Sequence, residues 1–250
     1  MERKMLYAIS TIEELDVNQL NGLGLGVEIQ DFVEPNMDEE KRNSLVKRYK
    51  EMLRNLKGLK AIHGPFLDLK PASPDKMIRD ISYNRYLYTL KIAKELEVDY
   101  LIFHSQINPY LNEPNLMKLN NRQAKEFWED ILREMFDFKG IIVIENIFEE
   151  TPDMLIELIK TIDMPNVKIN LDIGHANLGT VSLETWISGL KDYILYMHIH
   201  SNDGKYDLHE RASDEKIKEL YSLLDKYNIN PVLSIEYKVE DLEKEIKRYS

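Results

Sequence analysis

The sequence predicts a closed (β/α)8 barrel, formed as a single domain over residues 1–250, and three features of the chain lead to this prediction. Eight short apolar runs alternate with eight segments of helical periodicity, which is typical of a parallel sheet covered by helices. A length of 250 residues is the usual size of eight such units. No linker rich in proline, glycine or serine divides the chain. An open doubly wound sheet is the competing architecture.

The predicted strands are short apolar runs, and from the third strand onward each ends at or beside a histidine or a carboxylate. In order they are Met5–Ile9, Gly26–Ile29, Leu59–His63, Tyr100–His104, Ile141–Glu145, Val167–Asp172, Leu195–His200 and Pro231–Glu236. Gly64 and Pro65 end the third strand, because both residues interrupt regular structure.

The predicted helices follow the strands and carry apolar residues at helical spacing; in the second, Leu45, Tyr49 and Met52 share one face. In order they are Ile12–Asn21, Met37–Leu56, Pro74–Leu96, Arg122–Phe138, Pro152–Ile162, Leu183–Lys191, Asp214–Tyr227 and Val239–Tyr249. A polar loop containing Pro109 and Pro114 precedes the fourth helix.

The composition excludes several classes of protein. A net charge of -11 provides no overall attraction to nucleic acid or to anionic membranes. The absence of cysteine excludes disulfides, thiolate catalysis and cysteine zinc sites. No apolar run approaches the ~20 residues that span a bilayer. The polar start, Met1–Lys4, precedes no signal-peptide core. We therefore expect a soluble, cytoplasmic protein without a membrane partner.

Histidines and carboxylates cluster at the predicted strand ends, and all six histidines of the chain belong to this set. Its members are His63, His104, Glu145, Asp172, His175, His198, His200, Asp207, His209 and Glu236. The densest stretch is Asn170–Ala176, where Gly174 is expected to turn the chain between Asp172 and His175. Because the carboxyl ends of barrel strands converge on one mouth, we expect these side chains to meet there.

Converging carboxylates predict a bound cation. Glu145, Asp172 and Glu236 would repel one another at the mouth, and some would have to protonate unless cations lie between them. Imidazoles mixed with carboxylates suit Zn, Mn or Co better than Ca. Two alternatives remain open: Asp172 could simply cap a helix, and Glu236 could pair with a lysine or arginine. His198 is expected to lie one layer below His200.

Several short motifs resemble one known group of proteins, the xylose isomerase-like TIM barrels, which include endonuclease IV-type AP endonucleases and sugar isomerases and epimerases. The motifs are His63–Leu67, Phe103–Ser105, Ile144–Asn146, Leu171–Ala176, His198–Asp203, Asp207–His209 and Ile235–Glu236. The resemblance implies a metal held by Glu145, Asp172, His200 and Glu236. In the sugar isomerases it further implies that Glu145 and Glu236 move a proton through a metal-stabilised enediolate.

The resemblance also leaves an endonuclease open, because the larger set of that branch, which holds three zinc ions, has a match at every position. That set is His63, His104, Glu145, Asp172, His175, His200, Asp207, His209 and Glu236. Phe66–Leu67 matches a pair that wedges into DNA there, although ordinary packing is the preferred interpretation.

The charges near the predicted mouth disfavour nucleic acid as the partner. The loop after the second strand is acidic, and only Lys70, Lys205 and Arg211 offer positive charge near the mouth. These three could instead bind a sugar phosphate, although a solvated surface role is preferred. The segment Glu210–Ser213 departs from the glycine-rich turn common in the family.

We therefore expect a metal-dependent isomerase or epimerase acting on a small-molecule sugar or sugar phosphate, with one to three divalent ions per chain. The first alternative is an endonuclease IV-type enzyme that cleaves DNA at abasic sites. The second is a metal-binding barrel without turnover. The sequence leaves the specific sugar, the native metal and the oligomeric state open.

Overall fold

Eight parallel strands close into a barrel in the computed structural model, which describes residues 3–249; this confirms the predicted fold class. The strands are β1 Met5–Ile9, β2 Gly26–Ile29, β3 Lys60–His63, β4 Tyr100–His104, β5 Ile141–Glu145, β6 Val167–Asp172, β7 Ile194–Ile199 and β8 Val232–Ile235. Each strand pairs with the next along the chain, and β8 pairs with β1. Five strands match their predicted bounds, and the other three differ by one residue at one or both ends.

Helices on the outside cover the barrel, and within residues 3–249 there are nine α-helices. They are α1 Val17–Leu23, α2 Glu39–Met52, α3 Lys76–Glu95, α4 Pro114–Glu134, α5 Asp153–Ile162, α6 Ile173–Leu178, α7 Leu183–Leu190, α8 Asp214–Lys226 and α9 Leu242–Ile246. None of the described helices is both long and apolar enough to cross a membrane.

The predicted helix Arg122–Phe138 is wrong at both ends, because α4 begins at Pro114 and ends at Glu134. Glu113 caps it by accepting hydrogen bonds from the backbone N–H groups of Asn115 and Leu116. Pro114 takes the first helical position, where its missing N–H costs nothing. Pro114, which the sequence predicts in a loop, therefore begins a helix.

The predicted helix Ile12–Asn21 is also wrong, because the chain forms a short 3-10 turn, Ile12–Glu14, and then α1, which is capped by Asp16. The prediction of a simple turn at Gly174 missed α6, which begins at Ile173. The last helix shortens from Val239–Tyr249 to α9 and a 3-10 turn, Lys247–Tyr249. The other predicted helices differ only at their ends.

Side chains inside the barrel form layers, because alternate residues of a strand point to the same face. The lower layer is an apolar cluster of Leu6, Ala61, Ile102, Val143, Tyr196 and Val232. The positions two residues further along four of these strands are His63, His104, Glu145 and His198. Strand periodicity thus places polar side chains directly above the apolar plug of the barrel.

Candidate metal centre

The first group of the candidate site lies at the ends of β3, β4 and β5. The carboxylate of Glu145 lies 3.5 Å from His63 Nε2 and 4.0 Å from His104 Nε2. His63 is 3% exposed and Glu145 1%. Phe66 stacks on His104 with ring centroids 4.2 Å apart, whereas Leu67 is exposed. This contact supports the packing interpretation of Phe66.

Asp172, at the end of β6, joins helix α6 to the site. Its Oδ1 accepts the backbone N–H of His175 at 2.7 Å, so the residue does cap a helix. Its carboxylate also lies 3.0 Å from His200 Nε2, so the capping interpretation and the ligand interpretation describe the same residue. A Cβ on Gly174 would lie 2.0 Å from His200 Cε1, and glycine is therefore what leaves room for this ring.

The loop after β7 completes a second group. Asp207 Oδ2 lies 3.1 Å from His175 Nε2 and 3.2 Å from His209 Nε2. The rings of His200 and His209 stack with centroids 4.0 Å apart. His209 has a left-handed backbone, with φ of 45°, which is uncommon for a residue other than glycine.

His198 and Glu28 form the buried centre of the site, and the sequence analysis did not include Glu28. His198 Nδ1 lies 3.0 Å from Glu236 Oε2 and 3.2 Å from Glu145 Oε2. On its other side, His198 Nε2 donates to Glu28, which also accepts from the Tyr196 hydroxyl at 2.7 Å. Glu28 lies one residue before the end of β2 and faces inward like the predicted site residues, so the same rule applied to the residues near that strand end would have found it.

The five carboxylates of the site lie beside histidines and not beside lysine or arginine. Within residues 3–249, no lysine or arginine pairs with Glu28, Glu145, Asp172, Asp207 or Glu236; the nearby cations are histidines. Glu236 accepts from Gln30 Nε2 at 2.7 Å, so the alternative of a salt bridge to lysine or arginine is wrong. Arg211 is held away from the mouth by Glu245.

The pKa values of the site show this charge balance. Burial raises the pKa of Glu145, but the charge of His198 and contacts with His175 and His63 outweigh burial and hold it well below its usual range. Burial likewise raises the pKa of Glu28, yet His198 brings it to about 2. Burial lowers the pKa of His104 to about 3, which keeps this imidazole in the neutral form that binds metals.

The orientation of three histidines fits a bound divalent metal. His63, His175 and His209 each place Nδ1 within 2.9–3.0 Å of a backbone carbonyl, to which it donates. Nδ1 therefore carries a proton, and the Nε2 of each ring faces a carboxylate of the site. Hydrogen bonding of one ring nitrogen to a carbonyl is how proteins orient the other toward a metal.

Buried polar atoms without partners support the same conclusion. His198 Nδ1, His200 Nδ1 and Glu236 Oε2 have no hydrogen-bond partner among the described residues. His198 Nδ1 and Glu236 Oε2 are close to each other but badly aligned for a hydrogen bond, as expected of two atoms that face a common ion. The candidate ligands fall into groups whose donor atoms lie within 4.8 Å of one another. These groups are His63–His104–Glu145, Glu145–Asp172–His198, Asp172–His200–Glu236, Glu28–His198–Glu236 and His175–His200–Asp207–His209. They are consistent with metal binding.

A family model described as "Xylose isomerase-like TIM barrel" matches residues 23–249. The chain belongs to this xylose isomerase-like family. Its similarity to the uncharacterized protein MJ1311 of Methanocaldococcus jannaschii is 30% identity over 193 residues. That match covers 71% of this chain and 64% of MJ1311, which is less than two thirds of the relative's length.

Two solved structures resemble this xylose isomerase-like barrel over nearly its whole length. A D-tagatose 3-epimerase-like protein has a TM-score of 0.76 at 23% identity, with 98% of this chain and 94% of that chain covered. The TTHB071 protein from Thermus thermophilus, in a structure obtained by soaking with ZnCl2, has a TM-score of 0.75 at 25% identity. That match covers 99% of this chain and 96% of the other.

Proposed function

We propose that this xylose isomerase-like barrel is a divalent-metal-dependent isomerase or epimerase of a sugar or sugar phosphate. The observation that carries the proposal is the pair of carboxylates that faces one buried point. Glu145 on β5 and Glu236 just after β8 lie within 3.2 Å of the same nitrogen, His198 Nδ1. Family membership and the D-tagatose 3-epimerase-like neighbour support a sugar as the substrate.

The two carboxylates are assigned the proton transfer. One of them removes the proton from the substrate carbon next to the carbonyl, and the other returns a proton to the same or the adjacent carbon. Return from the opposite face inverts the configuration, and return to the neighbouring position interconverts ketose and aldose. A divalent ion, when bound by Glu145, Asp172, His200 and Glu236, supplies a Lewis acid that makes this proton more acidic.

Neighbouring amides orient the two carboxylates for this task. Asn170 Nδ2 donates to Glu145 Oε2 at 2.9 Å, and Gln30 Nε2 donates to Glu236 Oε1 at 2.7 Å. Each amide thus forms a hydrogen bond to one oxygen of its carboxylate. A base that is held in this way needs no reorientation when the substrate arrives.

A second candidate function, an endonuclease IV-type hydrolysis of DNA at abasic sites, is favoured by one specific observation. All nine residues of the three-zinc set meet at the mouth, including His175, Asp207 and His209, for which a single-metal isomerase has no evident use. The charges near the mouth oppose DNA binding. Arg211 is paired with Glu245, so of the three predicted cations Lys70 and Lys205 alone remain to neutralise phosphates.

Metal counting and two activity assays separate these candidates. We expect protein purified without chelator to exchange a carbon-bound proton of a ketose for deuterium in D2O, followed by NMR over a panel of ketoses. We expect no cleavage of duplex DNA that contains an abasic site. Three zinc ions per chain together with cleavage would establish the endonuclease, and bound metal without either activity would establish a barrel that lacks turnover.

Substitution of one base tests the assignment of residues. Glu236→Gln keeps the size of the side chain but removes the base, so the exchange rate should fall by ~100-fold or more, the lower range of general-base contributions. Glu240→Gln changes an exposed glutamate nearby and should leave the rate unchanged. Exchange by the Glu236 variant at the normal rate would show that the assigned base is wrong.

A further inference from the structure

A cavity of about 330 Å³ lies beside the metal centre, between the loops after β3 and β4 and helix α4. Its volume is within the range of about 300–1,000 Å³ that small-molecule sites occupy. His104 lines the cavity and also belongs to the group formed with His63 and Glu145. The cavity therefore adjoins the metal centre at the His104 side chain.

The walls of the cavity are largely apolar. Leu111, Leu116 and Leu119 line it and are 58%, 48% and 36% exposed, and Trp128 lines its inner end. Leu116 and Leu119 lie one turn apart on α4, and Leu111 lies in the loop before it; a group of exposed apolar side chains of this kind indicates a surface that a ligand covers. Among the described residues, no aspartate or glutamate lines the cavity, and Lys70 is the one lysine or arginine there. In a chain of net charge -11, walls without carboxylates are informative about the ligand.

Three amide side chains offer polar groups to a ligand in the cavity. Asn121 lines the cavity at 7% exposure, and its side chain makes no hydrogen bond with any described residue. The side chains of Asn120 and Gln123 line the same cavity and also have no such bond. The polar atoms of these amides are not among the fully buried unpartnered atoms of the described residues, so they are accessible from the cavity. These amides can hydrogen-bond to a neutral polar group on an otherwise apolar ligand.

We propose that this cavity binds the neutral, mainly apolar aglycone of a glycoside whose sugar ring carries a ketone and lies at the metal centre. The proposal rests on the proposed function, because it takes the metal centre as the place of the sugar. A free sugar carries hydroxyl groups on every side and would leave them unpaired against the leucines. A ring with few polar groups fits both the leucine walls and the three amides.

Binding of aromatic probes tests the cavity directly, because Trp128 lies in its wall and Trp186 is fully buried. We expect phenyl β-D-glucopyranoside and phenol to change the tryptophan emission with saturation. Methyl β-D-glucopyranoside should leave it unchanged. Trp128→Phe should remove the response. Absence of a saturable response to both aromatic probes would overturn the proposal, as would a response that persists without Trp128.

A matched pair of variants locates the binding. Leu116→Asp adds a charge to the cavity wall in the first turn of α4, where an acid is tolerated, and should weaken phenol binding by about tenfold or more. Ile81→Asp changes an exposed apolar residue of α3, 60% exposed, that does not line the cavity, and should leave binding unchanged. Equal effects of the two changes would overturn the proposal.

The exchange assay separates this proposal from the proposed function. We expect the unaltered protein to exchange the proton of a free ketose and to bind phenol, and Glu236→Gln to lose exchange while it keeps phenol binding, because Glu236 does not line the cavity. Aromatic binding by a protein that exchanges no ketose would support the cavity as a binding site and contradict the proposed isomerase function. Ketose exchange without aromatic binding would support the isomerase function and contradict the proposed role of the cavity.

Discussion

Gly174 leaves the space into which the His200 ring fits. A methyl group at this position would overlap His200 Cε1, at 2.0 Å. We expect Gly174→Ala to push the ring out of line and weaken zinc binding by about tenfold or more, the lower range for disturbed ligand orientation. Isothermal titration calorimetry on both proteins measures the change.

The control for this prediction is Gly189→Ala in helix α7. A Cβ there meets the flexible end of Ile156 at 3.2 Å, so only a side chain must adjust. Alanine also has the higher helix propensity, by about 1 kcal/mol. Zinc binding should not change in this variant, and an equal loss in both variants would contradict the role given to Gly174.

Glu28 carries a negative charge at full burial, held there by His198 and Tyr196. In metal-free protein, Glu28→Gln leaves the protonated His198 with one partner fewer, which should lower the free energy of unfolding by about 3 kcal/mol. Urea unfolding measures this loss. Glu219→Gln, an exposed substitution on α8, should change stability by less than about 0.5 kcal/mol. A similar small effect at Glu28 would show that its charge is not needed.

Helix α4 shows how one capping residue decides where an element begins. Glu113 accepts the backbone N–H groups of Asn115 and Leu116, and Glu113→Ala should lower the free energy of unfolding by about 1 kcal/mol. Urea unfolding tests this, with Glu126→Ala on the exposed face of the same helix as the control. The first turns of α4 line the cavity beside His104, so fraying here should also weaken phenol binding. No loss at Glu113 would mean that the cap is dispensable.

Helix α6 explains why local patterns miss some elements. It has six residues and begins at a capping carboxylate that also lies against His200. A helix this short has little intrinsic stability, so its tertiary contacts hold it in place. A segment of this length is too short for helical periodicity to be recognised in the sequence.

The barrel as a whole holds five carboxylates near one axis, and bound metal should stabilise it. Metal at ~1,000 times its Kd adds about 4 kcal/mol, which corresponds to a rise in Tm of roughly 10 °C for a domain of this size. We expect EDTA to lower the Tm in circular dichroism by that amount and zinc to restore it. A Tm that chelation leaves unchanged would argue against a structural contribution from metal.

Short-range periodicity was sufficient to predict the barrel and most of its candidate metal centre. Alternation along each strand places His63, His104 and Glu145 on the inner face, and the parallel closed sheet brings strand ends together. Such features need no knowledge of distant contacts.

The contacts between individual atoms of the candidate site follow only from the tertiary structure. The role of Glu28 depends on Tyr196 and His198, which are 168 and 170 residues away along the chain. The start of α4 was hidden because Pro114 is equally at home in a loop and at a helix start. The cavity beside His104 is formed by side chains from three helices, two strands and two loops, whose relative positions follow from the packing of the whole barrel.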